Sequence, residues 1–301
     1  MDTYMTLAAY GNNAKSAVSA AEDEIYRLDR LFSVQSSDGE IAKLNLDKSL
    51  SASEDTVKLI ARACEISEIT DGDFDITVAP LVREWGFYSG LENKVPSDDE
   101  LETALKSVGY KNIEISGNSI YLNNGAGVDL GGIAKGYASS RAAEILAKNS
   151  VESALISLGG NVRAVGSKPD GSAWTIAVAD PDDTSLQIGY LSVKNASVVT
   201  SGGYQRFFEH NQKTYHHIIN PKTGCPAESG LKSVTVVSED DTLADALSTA
   251  LFVKGLDGAA ELYSSYGGFG AVFVTDEDEI YITNNLKGYF ASEREFKVIS
   301  P

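Results

Sequence analysis

Helix-like and strand-like segments follow one another along this 301-residue chain without the regular strand–helix–strand alternation that builds a parallel sheet. Apolar residues recur at helical spacing from Ala14 to Phe32. The alternating segment from Ile113 to Leu122 has Gly117-Asn118 at its centre, which is a hairpin signal. This mixture of helices and antiparallel pairs predicts an α+β fold. Because no repeat, low-complexity tract or long linker marks a boundary, we predict one domain over residues 1–301.

Local signals predict most of the other elements. Ser97-Asp98-Asp99-Glu100 is a capping box, which predicts a helix continuing to about Val108, whereas residues 33–46 are polar and predicted to be irregular. Further helices are predicted at residues 53–70, 81–87 and 257–266 and around Asp245, and the segment Val128–Gly136 is predicted to open a helix that reaches Lys148. Strands are predicted at residues 1–11, 154–158, 174–179, 189–193, 206–208, 215–219, 271–275 and 280–283, and near Val198.

The charge balance limits the partners that the chain can bind. Its formal net charge is −18, from 25 basic and 43 acidic residues, which argues against nucleic acid or an anionic membrane surface. A polyphosphate ligand would need a local source of positive charge, such as a metal ion, a helix N-terminus or one lysine. Cys64 and Cys225 lack CxxC spacing, so the sequence indicates neither a disulfide framework nor a zinc site.

Two of the three histidines stand side by side, at His216 and His217. They lie on the apolar run from Tyr215 to Ile219, which reads as a strand that leads into a turn at Asn220-Pro221. Side chains alternate across a strand, so one of the two imidazoles is expected to face a cleft. A histidine there can serve as a base or hydrogen-bond donor near neutral pH, or it can be a hydrogen-bonded structural residue.

Asp245 and Thr249 are four residues apart in a helical pattern, which places a carboxylate and a hydroxyl on one face. Two hard oxygens so placed suit magnesium, which takes few protein ligands and leaves positions for phosphate oxygens. The alternative is a helix with polar residues on a solvated face.

Two glycine pairs and one acidic segment admit both a functional and a structural interpretation. Gly131-Gly132, between Asp129 and Lys135, lies at a predicted strand-to-helix junction, which can offer N–H groups to an anion or simply form a tight turn. Gly159-Gly160 allows the same two interpretations. Asp73-Phe74-Asp75 could contact a flat ring and its sugars, although core packing also explains Phe74.

These stretches form one ordered set that is more specific than any single motif. The set comprises Met1-Asp2-Thr3, Phe74–Leu81 with Trp85-Gly86-Phe87, Asp129–Tyr137, Ser157–Asn161, Thr200–Tyr204, His217–Gly224 and Ala244–Ala250. In this order and spacing, from Met1 to at least Gly255, the chain resembles the ApbE family of FAD:protein FMN transferases.

The resemblance implies a T-fold-like α+β fold that holds FAD in a cleft. Members of this family take FAD and magnesium, cleave the pyrophosphate, and link FMN by a phosphoester to a threonine or serine of an acceptor flavoprotein, releasing AMP. They usually work outside the cytoplasmic membrane as lipoproteins. No apolar run here reaches the roughly 18 residues of a membrane span, and no signal peptide is visible, so we expect that a leader was removed ahead of Met1.

The resemblance also implies roles for residues at matching positions. Asp245 and Thr249 match the magnesium ligands, with Gly132 contributing backbone oxygen, and His217 matches the histidine beside the pyrophosphate. We expect His217 to orient or deprotonate the acceptor hydroxyl, or to hydrogen-bond a phosphate. The positions that match FAD contacts are Met1, Asp73, Phe74, Asp75, Asp129, Lys135 and Ile218.

Gln35 stands where many family members place an aromatic residue near the flavin. Loss of that stacking would weaken FAD binding and favour turnover, including hydrolysis. Two alternatives to FMN transfer therefore stay open. One is a magnesium-dependent FAD pyrophosphatase, in which water replaces the protein hydroxyl. The other is a non-catalytic flavin-binding protein of the cell envelope.

Overall fold

The computed structural model describes residues 3–300, and their contacts divide the chain into two compact units. The first unit comprises the residues up to Leu28, Ile133–Gly202 and the residues from Gly230 onward. The second unit comprises Asp29–Gly132 and Gly203–Ser229. Both units are discontinuous in sequence, and the prediction of one domain over residues 1–301 stays a prediction.

The first unit is built on two sheets whose strand pairs are antiparallel with one exception. Its strands are β1 (Met5–Tyr10), β5 (Ser153–Leu158), β6 (Asn161–Gly166), β7 (Trp174–Ala179), β8 (Gln187–Val193), β9 (Ser197–Gly202), β12 (Leu231–Ser238), β13 (Gly270–Thr275), β14 (Ile280–Thr283), β15 (Phe290–Ala291) and β16 (Phe296–Ile299). Eight of them form a sheet in the order β1-β5-β6-β9-β12-β13-β14-β16, in which only the β14–β16 pair is parallel. The smaller sheet has the order β15-β8-β7. Side chains from both sheets, among them Trp174, Leu191 and Ile282, form one buried core.

Helices α6 (Ala134–Lys148) and α7 (Asp241–Ser265) pack on each other, and α7 lies against β9 and β12. The segment of α7 from Leu243 to Val253 is buried almost throughout, as expected of a helix between a sheet and another helix. Gly255, with φ 73° and ψ 178°, interrupts α7. The two helical segments predicted in this region are therefore present on either side of that glycine.

The second unit contains short helices, a three-stranded sheet and a hairpin. Helix α1 (Ala14–Phe32) leads into it, followed by α2 (Glu40–Asp47), α3 (Glu54–Ile69), α4 (Ala79–Glu84) and α5 (Asp98–Leu105). The three-stranded sheet has the order β2 (Ser49–Ser51), β4 (Ser119–Leu122), β3 (Ile113–Ser116). The hairpin joins β10 (Phe207–His210) to β11 (Lys213–His216). Leu81, Trp85, Phe87, Leu101 and Ile219 form the buried core beside the hairpin.

The α+β prediction is confirmed, and so are the capping box at Ser97 and the hairpin around Gly117. Two local predictions were wrong, and five strands were not predicted. Residues 33–46 contain α2, whose Ile41 and Leu44 are buried on one face, because two apolar residues three apart suffice when tertiary packing covers them. β11 ends at His216 and not at Ile219. The strands without a prediction are β2, β6, β12, β15 and β16, although β12 is rich in β-branched residues. Within residues 3–300, no helix combines the length and apolar character needed to cross a membrane.

Candidate active site

Asp245 lies in the second turn of α7 and is only 2% exposed. Its Oδ2 accepts a hydrogen bond of 2.8 Å from the backbone N–H of Gly136, and its Oδ1 accepts one of 2.8 Å from Nδ2 of Asn161. The ammonium of Lys135 lies 3.7 Å from Oδ1. A buried carboxylate requires such partners, and these come from α6 and β6, which are far from α7 in sequence.

Gly136 permits the close packing that brings Asp245 to the start of α6. A Cβ at this position would lie 2.3 Å from the carbonyl oxygen of Asp241 and 2.8 Å from Cβ of Asp245. Ile133, the N-cap residue of α6, makes no side-chain cap. The carboxylate of Asp245 therefore caps α6 from another helix, where the helix dipole favours negative charge.

Thr249 follows Asp245 by one helical turn, as predicted. Its hydroxyl lies 3.4 Å from Oγ of Ser201 in β9, which also lies 2.7 Å from the hydroxyl of Ser248. Gly132, the third predicted contributor to a metal site, belongs to the second unit and directly precedes the residues that open α6. The roles of Asp245, Thr249 and Gly132 as magnesium ligands stay predictions.

The donor chemistry around Asp245 fits a hard cation. A carboxylate oxygen has two lone pairs, so a carboxylate that accepts one amide hydrogen bond on each oxygen keeps capacity for a metal. The hydroxyl of Thr249 one turn away is a second hard oxygen. Among residues 3–300 no group of three or more His, Cys, Asp or Glu side chains is arranged to hold a metal. Few protein ligands are what magnesium requires when phosphate oxygens complete its shell.

The two adjacent histidines are distinguished by their hydrogen bonds. Nε2 of His216 lies 3.0 Å from the carbonyl oxygen of Ala227, and its Nδ1 accepts the backbone N–H of Ile218 at 3.3 Å. Since a carbonyl only accepts, Nε2 of His216 carries the proton, and both ring nitrogens are engaged within the second unit. His216 is therefore a structural residue.

His217 has the opposite tautomer. Its Nδ1 lies 3.1 Å from the carbonyl oxygen of Arg206, which also accepts the backbone N–H of His217 at 3.0 Å. Nδ1 must then carry the proton, and in the neutral ring Nε2 is the nitrogen that can accept one. This arrangement suits a general base. The catalytic role of His217 stays a prediction.

Asp129 is held by two donors in the second unit. The hydroxyl of Tyr88 donates to its Oδ2 at 2.8 Å, and the N–H of Gly131 donates to its Oδ1 at 2.6 Å. Burial, followed by the charge of Asp129, raises the pKa of Tyr88 far above its usual value, so the phenol stays protonated as a donor. The backbone N–H of Asp129 also bonds to the carbonyl oxygen of Ile76 at 2.7 Å. The carboxylate predicted to contact FAD is therefore fixed in place.

The segment from Asp73 to Asp75 turns its side chains into the second unit. Oδ1 of Asp75 accepts from N–H and Oγ1 of Thr77, at 2.8 and 2.6 Å, and its Oδ2 accepts the N–H of Tyr110 at 2.7 Å. Burial raises the pKa of Asp75, and these hydrogen bonds oppose the rise. Phe74 is 4% exposed, and Asp73 pairs with Lys222 at 2.9 Å. We therefore expect any contact of Phe74 and Asp75 with FAD to be made by their backbone.

The remaining predicted FAD contacts differ in setting. Gln35 is exposed and its Nε2 donates to the carbonyl oxygen of Ser89 at 2.7 Å. Ile218 is buried, and its carbonyl oxygen accepts the N–H of Ala227 at 2.9 Å. Met1 lies outside the described residues.

A cleft of about 660 Å³ lies within the second unit. It is lined by Val34, Asn45, Lys48, Ala79, Pro80, Arg83, Glu84, Tyr88, Asp99, Glu100, Thr103, Ala104, Ser107, Gly125 and Gly127. None of the predicted site residues that the structure describes lines it, although one lining residue, Tyr88, donates a hydrogen bond to Asp129. The groups with candidate chemistry lie elsewhere in each unit: the hydrogen-bonded carboxylate of Asp245 in the first unit, and Asp129 and His217 in the second.

The family model described as the ApbE family matches residues 1–273. The chain belongs to the ApbE family. Curated relatives include the FAD:protein FMN transferase of Treponema pallidum, 31% identical over 92% of this chain and 83% of that protein. The FAD:protein FMN transferase of Klebsiella pneumoniae is 32% identical over 86% of this chain and 82% of that protein.

Solved ApbE structures share the fold. The ApbE protein of Thermotoga maritima, 36% identical, has a TM-score of 0.88 over 97% of this chain and 96% of that chain. The flavin transferase ApbE of Vibrio cholerae, 26% identical, has a TM-score of 0.85 and covers 96% of each chain. The predicted ApbE architecture is thereby confirmed.

Three residues around the candidate ApbE site were given no role in the sequence analysis: Tyr88, Gly136 and Asn161. Asn161 follows the Gly159-Gly160 pair, so a hairpin reading of that pair would have placed it at a strand start. Gly136 is the third glycine of the segment from Gly131 to Gly136. A glycine inside a predicted helix is the signal that could have marked this position as a close contact with another element. Nothing in the sequence marked Tyr88 as a partner of Asp129, because 41 residues separate them.

Proposed function

We propose that this chain is a magnesium-dependent FAD:protein FMN transferase. It would cleave FAD, attach FMN by a phosphoester to a threonine or serine of an acceptor flavoprotein, and release AMP. The observation that carries the proposal is the buried Asp245 carboxylate, which is oriented by two amide donors. The names of the curated relatives support the same activity.

Asp245 and Thr249 would hold the magnesium ion through side-chain oxygens, with the backbone oxygen of Gly132 as a further ligand. When bound, magnesium neutralises charge on the phosphates, which is the main requirement of phosphoryl transfer. Lys135 supplies a positive charge beside Asp245 and would bind phosphate oxygens. In a chain with net charge −18, this local positive charge allows an anionic substrate to approach.

His217 would receive the proton of the acceptor hydroxyl on Nε2. The acceptor oxygen then forms a bond to the phosphorus of the FMN moiety, the pyrophosphate P–O bond breaks, and AMP leaves with the bonding electrons. The Arg206 carbonyl holds the Nδ1–H, so it fixes the tautomer and would stabilise the imidazolium formed in this step. Asp129, fixed by Tyr88, would position FAD.

The acceptor flavoprotein and the cellular location are part of the proposal. Activity on the extracytoplasmic face of the membrane, as a lipoprotein, follows from the resemblance described above. The acceptor is defined by its chemistry, as a protein that presents a threonine or serine hydroxyl to a bound dinucleotide.

The test is incubation of the protein with FAD, magnesium and candidate acceptor flavoproteins, followed by mass spectrometry of the acceptor and chromatography of the nucleotides. One FMN phosphoester per acceptor with release of AMP supports the proposal, and an acceptor variant with valine at the modified threonine is the control. AMP and free FMN without an adduct would establish a pyrophosphatase, which the exposed, non-aromatic Gln35 favours. Intact FAD under all conditions would establish a non-catalytic flavin-binding protein.

A further inference from the structure

Asn161 is placed by a tight hairpin between β5 and β6. The two turn residues, Gly159 and Gly160, have φ of 59° and 92°, the left-handed values required at both positions of a type I′ turn. A Cβ on Gly159 would lie 2.2 Å from Oγ1 of Thr3. Leu158 pairs with Asn161 across the turn, so the position of Asn161 is set by strand register.

The side chain of Asn161 is 3% exposed and donates its amide to Oδ1 of Asp245 at 2.8 Å. The other oxygen of the same carboxylate accepts the N–H of Gly136 at 2.8 Å. Two donors on different oxygens fix the plane of the carboxylate, since rotation about the Cβ–Cγ bond would break both hydrogen bonds. One donor belongs to the backbone of α6, and Asn161 is the donor that substitution can remove.

Both donors to Asp245, the N–H of Gly136 and the amide of Asn161, are uncharged, so they do not change the net charge around this carboxylate. They orient Asp245, and they add neither a positive nor a negative charge beside it. Lys135, 3.7 Å from Oδ1, is the cation facing the same carboxylate. The oriented lone pairs of Asp245 therefore remain available to a cation, with the affinity set by one carboxylate.

We infer that Asn161 is a positioning residue for the cation site of this protein, acting through the carboxylate of Asp245. It sets the orientation of that carboxylate and keeps the site at a single negative side chain. The inference rests on the proposed function only in taking Asp245 as the cation ligand. Partners that orient a metal ligand commonly change metal affinity by about 10- to 100-fold when they are removed.

The test is titration of the full chain with Mn²⁺ alone, monitored by the electron paramagnetic resonance signal of unbound Mn²⁺, with melting temperatures measured in parallel. N161A is expected to weaken Mn²⁺ binding about 10-fold, because the carboxylate loses one of its two orienting donors. N161D places a second carboxylate against Asp245, so we expect a lower melting temperature without metal and a larger Mn²⁺-induced rise than in the wild type. S157A, in the facing strand β5, is the matched control and is expected to bind Mn²⁺ as the wild type does.

Opposite changes in Mn²⁺ response for N161A and N161D, with S157A unchanged, support the inference. A purely structural role would lower the melting temperature of both Asn161 variants without changing Mn²⁺ affinity, and that result would overturn it. D245N separates this failure from failure of the proposed function. If D245N binds Mn²⁺ as the wild type does, or if the wild type binds none, Asp245 is not the ligand and both proposals fall together.

Discussion

The Nδ1 atom of His217 lies 3.1 Å from the carbonyl oxygen of Arg206, and this contact assigns the proton of the neutral imidazole to Nδ1. The guanidinium of Arg206 in turn donates to the carbonyl oxygen of Phe87, so the accepting backbone is itself held. The ring of Phe87 meets His217 edge-on, with centroids 6.5 Å apart. Because Nδ1 donates to the Arg206 carbonyl oxygen, Nε2 is the ring nitrogen of neutral His217 that is able to take up a proton.

H217A is expected to reduce the rate of FMN transfer about 100- to 10,000-fold while changing FAD affinity less than 10-fold, because general-base catalysis contributes to the chemical step. Single-turnover kinetics and equilibrium FAD binding separate the two effects. H216A is the control. Both ring nitrogens of His216 serve the local fold, so we expect that variant to lose stability first. A defect of H217A confined to FAD affinity would contradict the base role.

D245N is expected to abolish magnesium-dependent FAD cleavage with little change in melting temperature, since the retained amide oxygen can still accept the N–H of Gly136 and the Asn161 amide can flip to accept from the new NH2 group. D245A removes the cap of α6 as well, and we expect it to lower the free energy of unfolding by about 1 to 2 kcal/mol. Urea denaturation measures the difference between the two variants. Equal stability of D245N and D245A would show that the carboxylate does not cap α6.

Y88F removes the hydroxyl that donates to Asp129 and leaves the ring in place. Hydrogen bonds to charged groups contribute about 1.5 to 3 kcal/mol, so FAD binding is expected to weaken by roughly 10-fold or more if Asp129 contacts FAD. Isothermal titration calorimetry with FAD in the absence of magnesium measures this affinity. Tyr110, whose backbone and not its hydroxyl contacts Asp75, provides the control Y110F. An FAD affinity unchanged in Y88F would remove Asp129 from the binding site.

The parts of the site that could be predicted from sequence are those set by local geometry. Asp245 and Thr249 share a helix face because they are four residues apart, and the helix is strongly marked by its apolar residues. The partners of Asp245 could not be predicted. Asn161 and Gly136 lie 84 and 109 residues away, and strand register and helix packing bring them to the carboxylate.

The two histidines show the same limit. Their position at the end of a strand was nearly correct, but alternation across a strand could not decide between them, because β11 ends at His216. The two histidines are told apart by the carbonyl oxygens that their ring nitrogens contact, that of Ala227 for His216 and that of Arg206 for His217. These two carbonyl groups belong to separate segments of the chain. Helix α2 was missed for a related reason, since its two buried residues, Ile41 and Leu44, gain their contacts only in the folded unit.

Asp241 predicts a specific pH dependence of stability. It is 4% exposed, one turn before Asp245, with Arg163 at 3.3 Å, and the hydroxyl of Ser197 donates to it. Burial raises the pKa of Asp241 from 3.8 to about 6, although the charge of Arg163 and the Ser197 hydrogen bond oppose the rise. The folded protein then keeps this proton up to about pH 6, whereas the unfolded chain releases it near pH 4. Because the folded state binds more protons in this window, the free energy of unfolding falls as pH rises, by roughly 3 kcal/mol in total.

D241N isolates this contribution, because the other carboxylates titrate equally in both proteins. Arg163 keeps hydrogen bonds to the carbonyl oxygens of Asn195 and Glu239, so the variant does not leave that guanidinium without partners. Urea denaturation between pH 4 and pH 7 is the measurement. The unfolding free energy of the wild type minus that of D241N should fall between pH 4 and about pH 6 and stay level above it. A difference that instead grows with pH would mean that attraction to Arg163 exceeds desolvation, and that the pKa of Asp241 is lowered in the folded state.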